Sequence, residues 1–293
     1  RTAVQTVTAR RLGQGLLKQS GAALRNGLAL AALYSIPTSL FVWGYSDSLV
    51  RFFIEDPAAT PLTIDYVSIV FMGLLFSSYS FVFQGFFTGI EKTKIHMKVT
   101  IVSNVLNVYL NAGFIYGSSG VQEFFNEHFS SISFVSYLWG WVNFPALGVK
   151  GAAIATLISS FWMAAHYTAS LIPKETREKY SVFHFSFDSH MMKRQVRLAL
   201  PQGLQESVIA LGWGVFYKIV GIIGLVELAT TELLFTIMHA SFMPAMGVGQ
   251  ACSTLVSKYM GQGRPGKSET SIRESVRIAE YIMAPMGLTF ILF

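Results

Sequence analysis

The chain has 293 residues, of which 52% are hydrophobic and 13% charged, with a formal net charge of +6. Soluble domains carry about a quarter charged residues, so the composition excludes a water-soluble domain and places the chain in a membrane. The basic residues sit in short loops between apolar runs rather than along a stripe that could follow phosphates, so no nucleic-acid partner is implied.

A helix needs about 20 apolar residues to cross the hydrocarbon core. In chain order the runs are the end of one before Arg10, then 27–45, 64–88, 97–117, 147–172, 198–223 and 228–257, and a truncated one from about 275. Loops 10–26, 91–98, 173–197 and 258–277 hold 18 of the 22 Lys and Arg residues. The alternating loops, 44–63, 117–147 and 223–227, hold only Arg51, beside acids that include Glu55, Asp56, Glu123, Glu127 and Glu227. Lys/Arg-rich loops stay cytoplasmic, which predicts a multi-pass protein of the cell (inner) membrane with those loops inside. The FVSYLWGWVNF segment of the long 117–146 connection predicts an interfacial patch on the outer side, because one more crossing would invert every later loop. The single cysteine, Cys252, lies in an apolar run and reads as a packing residue. The chain starts at Arg1 without methionine or signal peptide and stops at Phe293 inside an apolar run, so it reads as a piece of something longer.

One phrase occurs twice. VTARRLGQG (Val7 to Gly15) and LVSKYMGQG (Leu255 to Gly263) share the Gly-Gln-Gly ending, and the same shift lays Arg10 on Lys258, Ala31 on Ala279 and Pro37 on Pro285. Six crossings separate the copies, so both have one orientation. That predicts a parallel duplication of a six-helix unit, an arrangement found in secondary transporters. Both Gly-Gln-Gly loops are expected in the cytoplasm.

The second copy continues as GQGRPGKS (Gly261 to Ser268), which satisfies the P-loop pattern letter for letter. Phosphate binding there requires a strand before the loop and free backbone N–H groups within it. A membrane span precedes this loop, and Pro265 removes one donor, so no nucleotide is expected.

Ionisable groups within a span are costly and by default functional hypotheses. Glu206 lies about two turns inside the span that starts near Leu198. Gln202, Glu206, Ile209, Trp213 and Phe216 or Tyr217 recur at helical spacing, which puts an amide, a carboxyl and aromatics on one face. Such a carboxyl can hold a proton or, once ionised, attract a cation; a neutral Glu bonded to a neighbouring helix is the structural alternative. Thr100, Asn104, Asn107 and Asn111 form a second stripe on one helix face, which either joins helices or lines a pathway. A weaker stripe of Ser77, Phe81, Gln84 and Thr88 reads as packing. His239 either titrates near neutral pH or is a hydrogen-bonded structural residue. Lys218 and Glu232 lie near span ends and read as snorkelling groups. Pro37, Pro201, Pro244 and Pro285 each permit a bend.

At these residues the chain resembles the multidrug and toxic compound extrusion (MATE) family. The resemblance is carried, in family order, by QTVTARRLGQG (Gln5 to Gly15), FQGFFTGIEKTK (Phe83 to Lys94), NVLNVYLNAGFIYG (Asn104 to Gly117), PALGVKGAAIAT (Pro145 to Thr156), LALPQG (Leu198 to Gly203) and ACSTLVSKYMGQG (Ala251 to Gly263). It implies an all-α polytopic membrane helix bundle of two six-helix lobes, with this chain running from the end of the second helix into the ninth. Residues 1–172 would be the N-terminal lobe lacking its first helix, 173–197 a cytoplasmic linker, and 198–293 the start of a truncated C-terminal lobe. Members resembling it expel cationic amphipathic drugs or metabolites in exchange for Na⁺ or H⁺. A monomeric antiporter in the bilayer is therefore expected, not an enzyme, with a small-molecule substrate, no metal and no cofactor beyond the coupling ion.

On this resemblance Glu206 takes the ion-coupling role. Gln202, Asn104, Asn107, Asn111, Trp213, Tyr217 and His239 line the substrate cavity. Two positions depart from the family pattern: many members carry an acid where this chain has Ile209, and one branch has an aspartate where it has Asn111. The 117–146 connection is also long for the family. A lipid-linked oligosaccharide or peptidoglycan-precursor flippase of the same superfamily is the alternative. It would need a more cationic cavity, whereas almost all Lys and Arg fall in loops.

Overall fold

The computed structural model describes residues 1–53, 57–184 and 188–292; Glu55 and Asp56 of the first acidic loop lie outside the described residues. Among the described residues the chain is helical, without strands. In order the helices are α1 (Thr2–Gly13), α2 (Leu17–Phe53), α3 (Ala59–Met72), α4 (Leu74–Gly89), α5 (Thr93–His128), a 3-10 helix (Ser130–Ser136), α6 (Tyr137–Gly140), α7 (Val149–Ala169), α8 (Lys174–Tyr180), α9 (Ser189–Ile223), α10 (Leu225–Gly261) and α11 (Pro265–Leu292). The all-α membrane bundle is what the apolar runs require, because in lipid a helix satisfies its backbone hydrogen bonds within itself. Among the described residues α2, α5 and α9 are long and apolar enough to span a membrane, and α3 with α4 meets the same test as a pair bent by 46°.

Local sequence sets where helices begin and break. Asp188 caps α9, its carboxylate accepting the Met191 N–H at 3.0 Å, which satisfies one of the orphan donors of the first turn. Pro265 opens α11, where its missing N–H costs nothing. The single run expected over 64–88 is instead two helices joined at Gly73, which lies against Leu157 of α7. Helical dihedrals also fail at Tyr45 in α2 and at Gly117 in α5 (φ 74°, ψ 164°). Helix α2 runs through Pro37 and breaks eight residues later, so the proline is not the site of the break. The GQGRPGKS segment joins two helices, with Gly261 ending α10 and Pro265 starting α11; the strand a P-loop needs is replaced by a 37-residue helix.

Two compact units emerge from the packing. The first comprises Arg1–Asn26, Gly85–Glu91 and Lys179–Phe293, the second Gly27–Gln84 and Lys92–Glu178. In the first, α1 packs along α10 and α9, and α11 along α10. A small apolar core of Val7, Ala22, Ala23 and Met191 is bordered by buried polar bonds. There Gln195 donates to the Ala23 carbonyl at 2.7 Å, Ser20 to that of Thr8 at 3.2 Å, and Asn26 to that of Asp188 at 3.2 Å. The Arg25 guanidinium donates to the Ser181 carbonyl.

The two Gly-Gln-Gly turns meet in this unit and are built alike. Gln14 and Gln262 share φ −76° and ψ −4°, and Gly15 and Gly263 follow with φ of 74° and 68°. A Cβ on Gly13 would strike the Lys258 carbonyl, and one on Gly261 the Arg10 carbonyl. The repeated phrase thus makes one reciprocal contact between α1 and α10. In the second unit α7 packs against α5 and α3, with Leu110, Val121, Trp139, Phe144 and Ala155 at its core.

Candidate ion and substrate site

Helix α9 carries the polar face that the sequence singles out, and the structure divides that face in two. Gln202 and Glu206 line a cavity of about 370 Å³ together with Gly203, Gln205, Arg1 and the first residues of α1. Glu206 is exposed there, beside two amides and without an ion-pair partner among the described residues. Two turns further along, Trp213 and Tyr217 line a second cavity of about 510 Å³ with Glu232, Phe235, Thr236 and His239 of α10. Spacing alone placed Gln202, Glu206, Trp213 and Tyr217 on one helix face; they open into different cavities.

The second cavity is walled by rings. Trp213 meets Phe235 edge to face at 4.6 Å, and Phe216 meets Phe235 in the same way at 5.7 Å. Such faces present negative quadrupole to a cation. Glu232, read from sequence as a snorkelling group, lies in this aromatic wall with His239 two turns later.

The asparagine stripe lies in the second unit. Asn111 donates to Asn107 at 2.9 Å, and Asn107 donates to Ser159 of α7 at 3.3 Å. Those two amides join α5 to α7, while Asn104 is exposed.

Two polar clusters escape a motif-based reading. Gln84 meets His96 Nε2 at 2.8 Å, and His96 Nδ1 meets the Tyr167 hydroxyl at 2.6 Å and Thr100 at 3.2 Å. The tautomer sets which group donates in each of these contacts. Gln84 belongs to the stripe read as packing, and His96 lies one turn before Thr100, so extending the asparagine stripe backwards by four residues would have found it. The other cluster centres on buried Gln5, whose amide donates to Thr254 Oγ1 at 2.8 Å and to the Gln250 carbonyl at 2.9 Å. Nearby, Lys258 Nζ reaches both carboxylate oxygens of Glu91 at 2.7 Å.

Comparison with known proteins gives this architecture a family. The MatE family model matches residues 1–112 and 209–293. A probable multidrug resistance protein NorM of Thermotoga maritima is 26% identical over 230 residues, covering 78% of this chain and 44% of that protein. Another, from Agrobacterium fabrum, is 24% identical and covers 89% of this chain and 51% of its own length. The chain spans about half the length of these curated relatives. A solved structure described as the outward-facing conformation of a multidrug resistance MATE family transporter of the MOP superfamily superposes with a TM-score of 0.81 at 19% identity. That match covers 100% of this chain and 60% of the other. The chain is a multi-pass membrane protein and belongs to the MatE (multidrug and toxic compound extrusion) family.

Proposed function

We propose that the complete protein is a monomeric secondary antiporter that expels cationic amphipathic drugs or metabolites in exchange for Na⁺ or H⁺. The observation that carries this reading is Glu206. It is a carboxyl in a span, open to a cavity lined by Gln202, Gln205 and Arg1. An ionised carboxyl at that place attracts a cation, and a proton or Na⁺ bound to it cancels the attraction. The aromatic wall of Trp213, Tyr217 and Phe235 with Glu232 would hold the apolar, cationic part of a substrate. Residues 1–172 and 198–293 then belong to two lobes of equal polarity, joined through the 173–197 linker. The Lys/Arg-rich loops, with both Gly-Gln-Gly turns, face the cytoplasm of an inner membrane. The chemistry is transport rather than catalysis.

The test is uptake of a fluorescent cationic dye into inverted vesicles bearing the complete protein, with a pH gradient and a Na⁺ gradient imposed separately. Dye accumulation under one gradient and its loss on collapsing that gradient is expected. Equal signals with and without either gradient would overturn the antiport reading.

A further inference from the structure

The 118–148 segment is a folded cap with a face that none of the described residues covers. From Thr93 to Gly117, α5 is about 36 Å long at 1.5 Å per residue, enough to cross a hydrocarbon core of about 30 Å. The helix breaks at Gly117, after that length, and the next long helix, α7, begins at Val149. A tight set of bonds holds the segment between them against the end of α5. Ser118 donates to the Trp139 carbonyl and accepts the Phe144 N–H, both at 2.7 Å. Trp139 Nε1 donates to the Tyr109 carbonyl and the Tyr109 hydroxyl to the Leu138 carbonyl, both at 2.8 Å.

One tryptophan is thus consumed by the interior: Trp139 is 9% exposed, at the core of the cap. Its neighbour Trp141 is 90% exposed, and Phe134, Tyr137, Leu138 and Val142 are exposed with it. These apolar groups continue an exposed apolar surface of α5. Val105, Val108 and Tyr116 are exposed on the side of α5 that also carries Tyr109, and Tyr109 touches the cap. Between residues 118 and 148 there is no Lys or Arg, and Glu123 and Glu127 are the acids. Attraction to anionic headgroups is therefore absent, and what remains is the preference of aromatic rings for the membrane–water interface.

The geometry points to Phe134, Tyr137, Leu138, Trp141 and Val142 as a membrane-interface anchor that docks on zwitterionic phospholipid at the far end of α5. The anchor fixes the depth of α5 and α7 in the bilayer through aromatic insertion. Its occupant is lipid, not a protein.

The experiment uses the complete protein in phosphatidylcholine vesicles. Spin labels are placed singly at Trp141→Cys, Leu138→Cys and Glu127→Cys in a Cys252→Ala background, and collision with oxygen is compared with collision with a water-soluble nickel chelate. Labels at 141 and 138 are expected about 5–10 Å below the headgroup surface, with the label at 127 in water. Adding phosphatidylglycerol should leave these depths unchanged. Nickel accessibility at 141 and 138 equal to that at 127 would overturn the anchor. Shielding from both reagents would overturn it in favour of a protein occupant, and insertion only with anionic lipid would overturn the zwitterionic assignment. A second measurement keeps the native cysteine: brominated phosphatidylcholine should quench a share of the tryptophan fluorescence that disappears in Trp141→Phe, and persistence of that share would count against the proposal.

Discussion

Gly13 and Gly261 each rest on the backbone of the other's helix, Gly13 on the Lys258 carbonyl and Gly261 on the Arg10 carbonyl. The exchange is symmetric because the two turns are built alike, with capping glutamines of the same φ and ψ. A close approach of this kind needs small residues, since a methyl group would have to displace backbone rather than a flexible side chain.

Gly261→Ala is expected to destabilise the complete protein by about 1–3 kcal/mol through overpacking. Gly13→Ala should act similarly, and the double variant should cost less than the sum because both substitutions open one contact. Gly15 is the control: nothing lies near its Cβ position, and its φ of 74° alone disfavours alanine, by about 1–2 kcal/mol. Thermal unfolding in detergent measures all four, and an unchanged Tm in Gly261→Ala would disprove the contact.

Lys258 joins the same region to Glu91 through two bonds of 2.7 Å. Their side chains are 25% and 40% exposed, so a double-mutant cycle should give a coupling of about 0.2–1 kcal/mol. Raising the salt concentration should shrink it. Exchanging the charges, Glu91→Lys with Lys258→Glu, should recover part of the stability lost in either single variant. A cycle with no coupling at low salt would show that the pair contributes nothing.

Glu206→Gln keeps the size and hydrogen bonding of the side chain and removes its charge. Drug resistance conferred by the complete protein is expected to vanish while expression and membrane insertion stay normal. Glu232→Gln should weaken dye binding without abolishing gradient-driven transport, because an aromatic wall remains beside it. Full resistance in Glu206→Gln would remove that residue from the mechanism.

The bond from His96 to the buried Tyr167 hydroxyl predicts a structural penalty. His96→Ala removes one hydrogen bond from a buried phenol that also contacts Thr100, and should cost about 0.5–1.5 kcal/mol. Tyr167→Phe breaks the same bond from the other side, so the double variant should be less destabilised than the two single effects predict. Strictly additive melting temperatures would show that the two side chains do not depend on each other.

Much of the fold is legible in the residues because lipid imposes a local rule. Each span must satisfy its own backbone, so apolar runs of sufficient length mark helices wherever they occur. The repeated Gly-Gln-Gly phrase announced the paired turns. The P-loop spelling at Gly261–Ser268 was resolved by the long helix before it, again a local property. The break at Gly73 was less accessible, because it answers to Leu157, a residue far along the chain.

The site divides along the same line. Helical period placed Gln202, Glu206, Trp213 and Tyr217 on one face of α9, since 3.6 residues per turn is a property of the backbone alone. Tertiary packing decided that Glu206 opens into one cavity and Trp213 into another, that Glu232 joins the aromatic wall, and that His96 meets Gln84 and Tyr167. Each of these relationships joins elements whose proximity no period encodes. The sequence alone determined which segments are helices and which of their faces are polar, because both follow from neighbouring residues; which groups meet depended on how those helices pack.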